Sequence, residues 1–258
     1  NMFWQPINNL SNFYNQITTN IAGAERIFEV LDTEPEIQEE NGAKELPPIN
    51  GNVKFENVTF AYDSGSENVL ENVNFEIKAG ETIALVGATG AGKSTIINLI
   101  SRFYDTNSGR VLIDGYDIKK VTIESLRQQM GIMTQENFIF SGTISENIKY
   151  GKLDATDQEV VEAAKAVNAH NFIMKLKNGY DTLLSERGGG LSVGQKQLIA
   201  LARTMISKPK ILILDEATSS IDTKTELLVQ KGIEEILKGR TSFVIAHRLS
   251  TIKKADRI

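Results

Sequence analysis

Apolar residues recur early in the chain at Ile7, Leu10, Phe13, Tyr14, Ile17, Ile21, Ala24, Ile27, Phe28 and Leu31. Intervals of three and four place them on one stripe of a helix over residues 6–31, roughly 39 Å long at 1.5 Å per residue. Pro6 is tolerated in a first helical turn. The opposite face is rich in Asn, Gln and Thr, so the stripe faces either a domain surface or a partner. The periodicity stops at residues 32–50, which hold three of the five prolines, six acidic residues and one lysine. Proline and charge oppose both helix and strand, so this stretch reads as a linker and domain boundary.

From Val53 the period becomes two. Val53, Phe55, Val58, Phe60 and Tyr62 alternate with polar residues, as do residues 72–77, and both stretches read as strands, the second closed by a turn at Ala79 and Gly80. Residues 82–86 form a continuous apolar run, and residues 96–100 read as a helix. A short strand follows at 110–113, then a short helix over 122–130 and a strand over 130–134 that ends at Gln135. Residues 143–207 carry most of the remaining helical signal, with one helix over 158–167 and another from Ser192, placed as its N-cap, to about Ile206. Residues 187–190 between them read as a flexible turn. Residues 211–214 and 242–246 are short apolar strands, separated by a helix over 223–237 that Gly239 terminates. Residues 255–258 read as the start of one more strand.

A chain of 258 residues suits one large α/β domain, or a domain with a subdomain and an appendage. A net charge of −5 argues against a nucleic-acid-binding face, which is strongly basic. With no cysteine there is no disulfide framework, no thiol chemistry and no cysteine metal site, which fits a reducing cytoplasm. No run of 18 apolar residues is present, and no secretory signal opens the chain. An opening at Asn1 without Met and a close on an unfinished strand lead us to expect a segment of a longer polypeptide.

Residues 87–95 change this picture. Gly87, Ala88, Thr89, Gly90, Ala91, Gly92, Lys93, Ser94 and Thr95 complete G-x-x-x-x-G-K-[ST] between a strand and a helix, the setting in which that pattern is a phosphate-binding loop. The glycines let backbone N–H groups wrap an anion, and the helix start adds its positive dipole end. Lys93 is long enough for the β- and γ-phosphates, and the Ser94 hydroxyl suits Mg²⁺. Four apolar runs end at polar groups: the phosphate loop, Gln135, Asp215 with Glu216, and His247. If the runs are neighbours in one parallel sheet, all four groups meet at its carboxyl edge, where such sheets bind ligands. Asp215 is then placed to hold Mg²⁺ through a water, and Glu216 to orient or deprotonate an attacking water. His247 is placed to touch a γ-phosphate. Tyr62 either stacks on a purine ring or fills the core face of its strand. His170 carries no assignment.

The order of phosphate loop, post-strand glutamine, Leu191-Ser192-Val193-Gly194-Gln195, an apolar strand with Asp215-Glu216, and then His247 resembles the ATP-binding cassette (ABC) ATPases over residues 53–258. The stretches 24–32, 143–148 and 185–188 are similar to the exporter branch. The resemblance implies an α/β fold, a P-loop NTPase of ABC type. Its parts would be a RecA-like mixed sheet core, an antiparallel β subdomain and an inserted α-helical subdomain over about 140–207, preceded by a long N-terminal helix. It makes residues 1–31 the cytoplasmic tail of a transmembrane helix, 32–50 a linker, and 51–258 an ATP-binding domain short of its C-terminal end. It implies hydrolysis of ATP with Mg²⁺, with Glu216, His247 and Gln135 in catalysis and Ser94, Gln135 and Asp215 at the metal. Two such domains would close face to face, so that Ser192, Gly194 and Gln195 act on the partner's nucleotide while Tyr62 stacks on adenine. Asp222 would couple the two sites, and Glu186 would meet the membrane domain of the same polypeptide at the cytoplasmic face of the membrane. Val193 and Ser185 stand where many members carry glycine. A soluble non-transport ABC ATPase and a nucleotide-gated module without turnover remain the alternatives.

Overall fold

Contacts divide the chain into two units, Asn1–Gln38 and Glu39–Ile258. The computed structural model describes residues 3–63, 65, 67–134, 138–215, 222–245 and 252–258. The first unit is the helix α1 (Trp4–Leu31), 28 residues without a buried side chain and about 42 Å long. Its apolar stripe, expected from the spacing, is exposed. Among the described residues no helix is long and apolar enough to cross a membrane.

The second unit holds β1 (Val53–Phe60), β2 (Leu70–Ile77), β3 (Thr82–Leu85), α2 (Lys93–Ile100), β4 (Ser108–Ile113), β5 (Tyr116–Asp117), α3 (Ile123–Arg127) and β6 (Met130–Met133). After these come β7 (Gly142–Thr143), α4 (Ile144–Lys149), α5 (Asp157–Ala166), α6 (His170–Ile173), β8 (Leu183–Leu184), α7 (Val193–Ile206), β9 (Ile211–Asp215), α8 (Thr223–Leu237) and β10 (Thr241–Ile245). One four-stranded sheet runs β2-β1-β4-β5 and is antiparallel; a second runs β3-β10-β9-β6, with parallel pairs throughout, and β7 and β8 pair separately as a short antiparallel ladder. A parallel bridge between Ile83 and Arg257 adds the last residues beside β3, where the sequence places an incipient strand.

The strands of the parallel sheet are apolar at consecutive positions because both faces are covered. Ile211 and Ile213 of β9 and Phe243 and Ile245 of β10 enter one core, shared with α2 and the antiparallel sheet. Leu212, Leu214 and Val244 enter the other, built with α4, α5, α7 and α8. Helices α2 and α7 therefore serve opposite faces of the sheet.

Residues 39–50 are bound to the second unit. Leu46 N–H donates to Ser125 Oγ at 2.9 Å and Ile49 N–H to Gln129 Oε1 at 2.8 Å. The Leu46 and Ile49 side chains are buried with β1, and the Asp114 carboxylate accepts from the N–H groups of Asn50, Gly51 and Asn52. The antiparallel sheet is bulged where β1 shifts register between Phe55 and Val58. A Cβ at Gly109, where φ is +75°, would stand 2.2 Å from the Asn57 carbonyl oxygen, so β4 passes the bulge only with glycine.

Candidate functional site

The turn between β3 and α2 is built on left-handed backbone. Gly90 and Gly92 have φ of +84° and +85°, and Gly92 is the residue from which α2 starts. A Cβ there would stand 2.8 Å from Leu70 Cδ2. No side chain caps α2, so the N–H groups of its first turn are aimed out of the helix as donors for an anion. Gly87, Ala88, Thr89, Gly90 and Ala91 are exposed. Lys93 reaches across its own loop, donating from Nζ to the carbonyl oxygens of Gly87 at 2.8 Å and Ala88 at 2.9 Å. This holds the ammonium at the loop's rim. Ser94 is exposed, whereas Thr95 is 3% exposed.

Thr95 Oγ1 lies 3.0 Å from the Tyr62 hydroxyl. Tyr62 falls two residues past the end of β1 and is 44% exposed, so it does not fill the strand's core face. Its ring stands nearly perpendicular to those of Phe60 and Tyr104, with centroids 4.9 Å and 5.0 Å away. Tyr104 carries no pattern in the sequence, because it lies between α2 and β4 where neither period runs.

Asp215 closes β9 and pairs with Ile245 of β10, which pairs with Leu85 of β3. The phosphate loop and Asp215 thus leave the same carboxyl edge of one parallel sheet, two strand spacings or about 10 Å apart. Met133 of β6 pairs with Leu214, so the strand leading to Gln135 ends at that edge as well. Gln135, Glu216 and His247 lie outside the described residues. The Ser94 hydroxyl and the Asp215 carboxylate are hard oxygen donors of the kind Mg²⁺ takes. Among the described residues no group of three or more His, Cys, Asp or Glu is gathered for a metal; a cation here would share its coordination with substrate oxygens.

The Leu-Ser-Val-Gly-Gln segment opens α7. Ser192 is the N-cap, accepting from Gln195 N–H at 3.3 Å, while Gln195 Oε1 accepts from Ser192 N–H at 2.9 Å, a capping box. Ser192 is exposed, Gly194 is buried in the first turn and Gln195 is half-buried. Ahead of it, Glu186 is exposed in a single 3₁₀ turn, and Arg187, with φ of +60°, donates its N–H to the Ile139 carbonyl at 3.1 Å. Asp222 caps α8, its Oδ1 accepting from Thr225 N–H at 3.0 Å. His170 Nδ1 is 2.9 Å from the Tyr180 hydroxyl, whose pKa burial pushes up to about 12.

Strand, left-handed glycine turn and uncapped helix, at the carboxyl edge of a parallel sheet backed by an antiparallel one, define the P-loop NTPase fold class. Sequence comparison narrows this: the model of the ABC transporter family matches residues 70–219, and the chain belongs to that family. It is 52% identical over 256 residues to an uncharacterized ABC transporter ATP-binding protein of Bacillus subtilis (strain 168), covering 99% of this chain and 42% of that protein. It is 49% identical over 257 residues to an ATP-dependent lipid A-core flippase of Syntrophus aciditrophicus (strain SB), covering 100% of this chain and 42% of the flippase. A solved bacterial Atm1-family ABC exporter with ATP bound superposes with a TM-score of 0.83 at 43% identity, over 94% of this chain and 42% of the exporter's. The chain thus spans less than half the length of these relatives, and its fold is the ABC-type P-loop NTPase fold.

Proposed function

We propose that this chain is the ATP-binding and ATP-hydrolysing domain of an ABC exporter, driving transport across a membrane by pairing with a second such domain. The observation that carries the reading is the register Leu85–Ile245–Asp215, which brings the phosphate loop and a carboxylate to one sheet edge. The loop's N–H groups and Lys93 bind the β- and γ-phosphates. Tyr62 stacks on adenine. Ser94, Gln135 and Asp215 hold Mg²⁺, which when bound neutralises charge on the phosphate oxygens. Glu216 holds the attacking water and takes its proton, and His247 contacts the γ-phosphate.

The placement of α2 and α7 against opposite faces of the sheet supports a site completed by another copy. Ser192, Gly194 and Gln195 then act on the partner's nucleotide through the start of α7. Residues 1–31 form the cytoplasmic tail of a transmembrane helix, and Glu186 faces the membrane domain. The flippase and exporter among the relatives favour this reading over a soluble ATPase. The test is phosphate release from MgATP by the chain at increasing protein concentration. Specific activity that rises with concentration supports paired sites; release that never exceeds the protein-free rate overturns the reading as a hydrolase.

A further inference from the structure

Tyr62 is fixed from several sides. Its hydroxyl meets Thr95 Oγ1 in the first turn of α2. Its ring meets Tyr104, just past the other end of the same helix, at an interplanar angle of 89°. Tyr104 is itself braced by Phe60, with centroids 5.7 Å apart. The backbone that delivers Tyr104 is set by Arg102, which is 1% exposed with φ of +50°. Arg102 Nη1 donates to the carbonyl oxygens of Ile118 and Val121 at 3.1 and 3.0 Å, and its Nε pairs with Asp105 at 3.2 Å. Both ends of the phosphate-loop helix thus orient one partly exposed aromatic ring.

We propose that Tyr104 is a positioning residue for the nucleobase: it holds the Tyr62 ring in the plane on which a purine stacks, so that base and phosphates bind to groups ordered by one helix. This rests on the reading of Tyr62 as the base platform. A loose tyrosine loses side-chain freedom when a base stacks on it, whereas a braced one has lost that freedom already. The contribution of Tyr104 is made through its ring, since the contact is edge to face. It therefore affects ligands that carry a base and not those that carry phosphates alone.

The test is calorimetric binding of ATP and of inorganic tripolyphosphate to the chain and to Tyr62→Ala, Tyr104→Phe and Tyr104→Leu. Tyr104→Leu is expected to weaken ATP about two- to ten-fold, leave tripolyphosphate unchanged, and be rescued by Tyr104→Phe. Equal weakening of both ligands would show a merely structural role and overturn the proposal, as would no change in either. If Tyr62→Ala leaves the ratio of the two affinities unchanged, the platform reading itself fails. If Tyr62→Ala lowers that ratio and Tyr104→Leu does not, only the role of Tyr104 fails. Should Tyr104→Leu not fold, Tyr104→Met removes the ring at similar volume and is judged by the same outcomes.

Discussion

Lys93 Nζ lies 2.8 Å from the carbonyl oxygen of Gly87 and so ties the first residue of α2 to the first residue of its own loop. The same ammonium holds the Ala88 carbonyl. Lys93→Ala removes both charge-assisted bonds and the cation that the phosphates meet. Bonds to charged groups are worth about 1.5–3 kcal/mol each. We expect ATP affinity to fall by about 10²-fold in a titration, and an unchanged affinity would remove the phosphate loop from the account.

Glu216→Gln keeps the shape of the side chain and removes its basicity. Loss of one preorganised contact in the transition state lowers turnover by about 10²–10³. This variant is expected to bind MgATP, scarcely release phosphate, and accumulate as a dimer in size-exclusion chromatography with ATP. Turnover at the parental rate would take the role of general base away from Glu216.

Gly92→Ala tests whether the loop's conformation is imposed by the chain. With φ of +85° and Leu70 Cδ2 2.8 Å from the added carbon, the cost is about 2 kcal/mol, read as a lower melting midpoint and weaker ATP binding together. Gly23→Ala in α1 meets nothing within 4 Å and should strengthen that helix by up to about 1 kcal/mol. Circular dichroism melts of the two variants should move in opposite directions.

Glu159 provides a pH prediction. Its hydrogen bond from Lys152, and next the bond from the Thr156 N–H at 2.8 Å, lower its pKa from 4.5 to about 2. The folded protein therefore resists protonation that the unfolded chain accepts near 4.5. The stabilisation is complete above that value and is lost as pH falls toward 2. The advantage of the parent chain over Glu159→Gln in melting midpoint should be constant near neutrality, shrink as pH falls below about 4.5, and vanish only once pH is below about 2. An advantage that grew with acidity would contradict the assignment.

Long regular patterns were legible without coordinates. The stripe from Ile7 to Leu31, the phosphate loop between strand and helix, and the N-cap at Ser192 all follow from local chemistry, and each is present. The parallel sheet was legible because β9 carries an unbroken apolar run from Ile211 to Leu214 and β10 another from Phe243 to Ile245, as strands covered on both faces do. Local rules fail where distant groups decide. Residues 39–50 look like a linker by proline and charge content, yet Ser125 and Gln129, about eighty residues away, hold Leu46 and Ile49 in place. Tyr62 shares the parity of β1, but the strand stops at Phe60 and the ring is oriented by Tyr104 and Thr95 instead. The helix expected over 122–130 ends at Arg127 because Met130 is drawn into β6 beside Ile211.

Strand β9 is a party wall. Its odd-numbered residues furnish one room and its even-numbered residues the other, so neither room can be emptied without exposing the back of the other. Heat should therefore open both in a single calorimetric step, with α7 and the phosphate-loop helix α2 melting at one temperature although they share no face.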